Sequence, residues 1–155
     1  MKNFFGRFQS RLSLLLGKLK PLFIMFIYPA VLLVSQFKEL LVNSTDDILQ
    51  YFINLYSEEL APVKIGLIIQ ACRNLNLFSK MDDKETDIEK LQYIIQQLKT
   101  MPVTIRDGFY LQLATSIFLL TADAELEKYF DNITTSQANY LTQQAYVLFK
   151  QDYFN

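Results

Sequence analysis

Thr104 and Arg106 stand in the stretch MPVTIRDGFY (101–110), just after Pro102 and just ahead of a strongly apolar run. The Thr104-x-x-Asp107 spacing predicts a helix start. Free backbone N–H groups there, joined by an Arg fork, make a site for an anion. The plainer reading is an N-cap with a surface ion pair. The stretch KIGLIIQACRNLNLF (64–78) adds Lys64, Arg73, Asn74 and Asn76, donors able to meet a phosphate or a purine edge. Its plainer reading is a helix end whose basic residue favours the dipole. Arg106, Thr104, Arg73, Lys64 and Asn76 are therefore the candidate ligand contacts. The many Phe and Tyr residues could stack bases, but at helical spacing most read as core.

Other chemistry is poorly provided for. The chain has no His, one Cys (Cys72) and four Gly in 155 residues. Without His, the commonest general base and metal ligand is missing, and Ser-His-Asp or Cys-His catalysis cannot be built. One Cys makes neither an intrachain disulfide nor a thiolate metal site. No glycine-rich phosphate loop is present. The acid pairs Asp46/Asp47, Glu58/Glu59 and Asp82/Asp83 are adjacent, so they do not share a helix face and read as caps and turns. The expectation is a non-enzyme with no cofactor and no metal.

The elements that must position the candidate contacts are helical. Ser44-Thr45-Asp46-Asp47 reads as a capping box-like start, its acids where the helix dipole favours them, for a helix carrying Ile48, Tyr51, Phe52 and Leu55; another follows Ala61-Pro62, with Val63, Ile65, Leu67, Ile68, Ile69 and Cys72 as its core side. Thr86-x-x-Glu89 predicts a capping box ahead of Ile88, Leu91, Ile94, Ile95 and Leu98. FYLQLATSIFLL (109–120) is apolar nearly all round and should be central. Asp123 begins a short helix, and Thr134-x-x-Gln137 caps a last one with Tyr140, Leu141, Ala145, Leu148 and Phe149. No strand-like alternation appears. The fold class is all-α: an N-terminal amphipathic helix and a membrane helix, then a compact bundle of five or six short helices.

The N-terminal part has its own logic. PLFIMFIYPAVLLVSQF (21–37) is uncharged, and with Leu40, Leu41 and Val42 it reaches bilayer length. Lys38 could snorkel to headgroups. A retained membrane helix over about 21–42 is favoured over a buried core helix or a cleaved signal, since no small-residue cleavage site follows. Residues 4–20 place Phe4, Phe5, Phe8, Leu12, Leu15, Leu16 and Leu19 on one helical face beside Arg7, Arg11 and Lys18. Gly6, Ser10, Ser13 and Gly17 form a small-residue line. Either this helix lies on headgroups, the favoured reading, or it packs against copies of itself along that line.

Charge divides the chain the same way. Residues 1–43 hold six bases and one acid, and residues 44–155 hold nine bases and fifteen acids. A basic, apolar head suits anionic lipid, and an acidic body suits water and argues against DNA. The expected organisation is a membrane segment, 1–43, and a soluble domain, 44–155, that should survive alone.

With PLFIMFIYPAVLLVSQF as anchor and residues 44–155 as sensor, the layout resembles small membrane-anchored ancillary effectors of type III CRISPR systems. These join a short membrane segment to a cytoplasmic helical domain that oligomerises and binds cyclic tetra-adenylate. The resemblance implies a ligand-gated membrane effector in antiviral defence, at the bacterial inner membrane with the body in the cytoplasm. It implies a homo-oligomer, with a tetramer matching the ligand's repeat. It rests on arrangement, so no family binding residue is carried over. A holin-like lytic protein and a membrane-anchored protein-binding scaffold are the alternatives.

Overall fold

The protein is described from a computed structural model, which places Leu19, residues 21–43 and residues 45–154, with side chains up to Val147. The amphipathic helix expected over residues 4–20 and its Gly6/Ser10/Ser13/Gly17 line lie outside the described residues, Leu19 apart. Among the described residues the fold is all-α, without strands. Six helices follow one another. We number them α1 (Phe23–Asn43), α2 (Ile48–Leu55), α3 (Leu60–Asn74), α4 (Asp87–Thr100), α5 (Val103–Ala122) and α6 (Thr135–Phe154). Short 3-10 turns at Met81–Asp83 and Leu126–Lys128 join α3 to α4 and α5 to α6.

Local chemistry explains most boundaries. Asp47 caps α2 by accepting from the Gln50 N–H at 3.0 Å. Thr86 Oγ1 accepts from the Glu89 N–H at 3.2 Å and donates to Glu89 Oε1 at 3.1 Å, so the expected cap forms through the Thr86 side chain. The Thr134–Gln137 box closes in both directions, Gln137 N–H to Thr134 Oγ1 and Thr134 N–H to Gln137 Oε1. Two expected starts move. Pro102 (φ −58°, ψ 146°) takes the N-cap place of α5, and the Ile105 and Arg106 N–H groups both donate to its carbonyl. The ring fixes Pro102 at the entry angle, so the helix starts at Val103 and Thr104 falls inside the first turn instead of capping it. Asp123 opens a turn and a 3-10 segment, and the chain re-enters a regular helix only at Thr135.

α1 begins with a π-helical turn, Phe23–Ile27, in which the Tyr28 N–H reaches back five residues to the Phe23 carbonyl. The cause is Pro29. It lacks an N–H, and its ring would press on the carbonyl four residues earlier. A widened turn absorbs that conflict without breaking the helix.

α5 is central, as its all-round apolar character predicts: it packs on α1, α3 and α6, and Phe109, Leu113, Ile117 and Phe118 are buried. α1 lies against α5 and α6, and its Leu33, Val34, Phe37 and Leu40 are buried with them in one continuous core. The core therefore crosses residues 43/44, the boundary expected between membrane segment and soluble domain. Several stripes are narrower than expected. Leu55, Val63 and Tyr140 point outward, while Ile65, Ile68, Cys72 and Ala145 stay in. Hydroxyls tie α1 to its neighbour: Tyr51 Oη donates to the Gln36 carbonyl at 2.9 Å, and Tyr56 Oη donates to Gln36 Oε1.

Candidate functional site

The five candidate contacts do not converge. Arg73, at the end of α3, is committed to Asp82 in the following turn. Its Nη2 donates to Asp82 Oδ1 at 2.7 Å, its Nε lies 3.2 Å from Oδ2, and its Nη1 donates to Gln70 Oε1 at 2.7 Å. The hydrogen bond between Arg73 and Asp82 raises the Arg73 pKa and lowers that of Asp82. Lys64 lies nine residues earlier on α3, with its Nζ 5.1 Å from the centre of the Tyr56 ring. Asn76 has a backbone role. Its φ is 55°, and its N–H donates to the Arg73 carbonyl at 3.1 Å, so it is the left-handed residue that ends α3. An Asn76→Gly variant should hold or slightly gain thermal stability, and Asn76→Ala should lose about 1–2 kcal/mol. Thermal melts of both check this, and equal losses in both would mean that the side chain, not the backbone, matters.

Arg106 is different. It is half-buried one turn into α5, and its Nε is buried with no hydrogen-bond partner among the described residues. Such a donor is costly to leave unmet. The Phe78 and Phe109 rings meet edge-on at 5.5 Å, which brings the chain beyond Asn76 against the early part of α5. Thr104 is exposed in the first turn.

Next to Arg106 in sequence, Asp107 faces a cleft of about 240 Å³ between α1, α5 and α6. Ser35, Lys38, Asp107, Tyr110, Gln143 and Tyr146 line it, with Leu111. Lys38 Nζ is 3.8 Å from Asp107 Oδ1 and 5.6 Å from the Tyr110 ring centre. Tyr146 Oη reaches the Tyr110 carbonyl at 3.5 Å. Burial raises the pKa of both phenols. Tyr110 and Gln143 carry no sequence signal of their own, and Lys38, expected at headgroups, lines this cleft. No local pattern marks these residues as neighbours, since they lie on three helices far apart in the chain.

α1 carries the other functional feature. Among the described residues it is the one helix long and apolar enough to cross a membrane: 21 residues, with a mean hydropathy of 1.5 in its best window. Its length is about 31 Å at 1.5 Å per residue, against a bilayer core of about 30 Å. Yet 44% of that window is buried within the bundle.

Two weak acids whose pKa is raised by burial should make the bundle alkali-sensitive. Burial raises the Cys72 thiol from 9.0 to about 12. Burial, then Tyr51, raises the Tyr56 phenol from 10.0 to about 12. The unfolded chain ionises first as pH rises, so it binds fewer protons than the folded chain, and stability falls. Melting temperature should hold below about pH 9 and drop progressively toward about pH 12. Melts across that range check it; a flat profile would remove these groups from the balance.

The chain matches none of the known protein families, curated proteins or solved structures with which it was compared.

Proposed function

We propose that this chain is a membrane-acting effector that keeps a bilayer-length helix in the core of its own bundle and deploys it on a signal. One observation carries the reading: α1 has spanning length and hydropathy, and close to half of its apolar window is packed inside the bundle. The two environments compete for the same side chains. Lipid and protein core are both apolar, so the competition is fine-tuned by packing.

The signal we propose is a small anion, a cyclic oligoadenylate as the layout implies, with Arg106 as the first donor. The buried, unpartnered Nε of Arg106 supports this choice. In a homo-oligomer, of which a tetramer fits a fourfold ligand, each subunit presents one such donor to each phosphate. The ligand gates only if it prefers one arrangement over the other. The proposed setting is the bacterial inner membrane, with the body in the cytoplasm.

The test is dye release from vesicles by the full chain, with and without cyclic tetra-adenylate. Release should rise on ligand addition, and Arg106→Ala should abolish the response while leaving the helical signal intact. Release that ignores the ligand would favour the lytic alternative. No release and no vesicle binding would remove the membrane reading itself.

A further inference from the structure

The outward stripe of α1 changes character along its length. Pro21, just ahead of α1, is exposed, and so are Ile24 and Met25, at 55% and 64%. Half-buried Tyr28 and Leu32 continue the line. Then come Ser35, Gln36, Lys38 and Glu39, and Val42, 75% exposed, ends the stripe apart from the first apolar stretch. The apolar part of the stripe, from residue 21 to residue 32, rises about 18 Å. A bilayer core is about 30 Å. With the bundle intact, α1 can lie in a bilayer surface but cannot cross it.

Two further signs accompany this. Residues 1–20, which precede α1 in the chain, hold Lys2, Arg7, Arg11, Lys18 and Lys20 and no acid. A groove of about 340 Å³ opens beside Leu19, walled by Phe130, Tyr140 and Leu141 with Ser136 and Gln137. The contact of Lys38 with Asp107 sets the C-terminal part of α1 beside the start of α5. Exposed Val103, in the first turn of α5, is therefore at the far end of the molecule.

We propose that the N-terminal end of α1 is a docking face for an anionic lipid surface. The intact bundle rests in the plane of the bilayer on Pro21, Ile24 and Met25. The basic residues before them meet lipid phosphates, and the polar part of the stripe, Ser35 to Glu39, stays in water. Apolar burial and charge act together here, as in other interfacial helices. This rests on the membrane reading above and names the surface and lipid class that it uses.

The experiment uses the full chain with Ile24→Cys, Met25→Cys or, as control, Val103→Cys, each carrying an environment-sensitive fluorophore. Native Cys72 is buried and stays unlabelled. The probes are vesicles of phosphatidylcholine alone and of phosphatidylcholine with phosphatidylglycerol. The labels at 24 and 25 should brighten and shift to the blue on the anionic vesicles only, the label at 103 should not respond, and alkaline carbonate should strip the protein off. An Ile24→Glu/Met25→Glu pair should weaken flotation with these vesicles by roughly tenfold or more. Flotation without a response at 24 and 25 overturns the docking face and leaves the membrane reading standing. Resistance to carbonate overturns the in-plane arrangement. Failure to float with either vesicle removes the membrane reading as well.

Discussion

Removal of residues 1–43 will leave residues 44–155 without a cooperative unfolding transition. The expectation from composition is the reverse, a soluble domain freed of its anchor. The reason for the change is the depth of α1 in the core: Leu33, Val34, Phe37 and Leu40 are each no more than 2% exposed. Each such side chain contributes about 1.5–3 kcal/mol by burial. Four of them already rival the roughly 5–15 kcal/mol that holds a domain together. Truncation also uncovers the faces of α5 and α6 that α1 occupies. The truncated chain should aggregate or retain helical content without a sharp melt, as read by circular dichroism during heating. A sharp transition near that of the full chain would show that the body folds independently.

The second large effect concerns Phe118, fully buried in α5. Phe118→Ala should cost about 3–5 kcal/mol, including the cavity left behind. The substitution leaves the sequence of α1 intact, so the affinity of that helix for lipid is unchanged while the hold of the bundle on it weakens. If the two compete, the population with α1 in the bilayer grows by up to roughly two to four orders of magnitude. Two readouts follow it: the fraction resisting alkaline extraction from vesicles, and the reaction of Cys72, buried in the folded bundle, with a thiol reagent. A lowered melting temperature with an unchanged extractable fraction would break the link between bundle and bilayer.

Much of this architecture can be read from residue spacing because its causes are local. Thr86 and Thr134 cap helices through partners three residues away, and those distances are visible in the chain. The central place of α5 follows from an apolar character that leaves it no wet face. Pro102 overrides Thr104 at the start of α5 because a fixed backbone angle outranks a side-chain cap, a competition that spacing alone does not resolve. The candidate site is harder to read. Arg73 finds Asp82 across a turn, and Asn76 is chosen for its backbone angle, so residue type alone overstates both as ligand contacts. The fate of α1 is hidden for a deeper reason: hydropathy measures escape from water, and a protein core satisfies it as well as lipid does.

The π-helical turn at Phe23–Ile27 has a mechanical consequence. It holds one residue more per turn than the helix that follows, so it sets the angular phase of everything upstream. Were it to tighten into an ordinary turn, the preceding segment would swing by about 100° around the helix axis. Leu22 and Ile27 now face inward, while Ile24 and Met25 face outward; a swing of that size would turn Leu22 away from the core. The turn thus acts as a crank. A change of a single hydrogen-bond register beside Pro29 would become a rotation of the N-terminal end, carrying Pro21 and Leu22 with it.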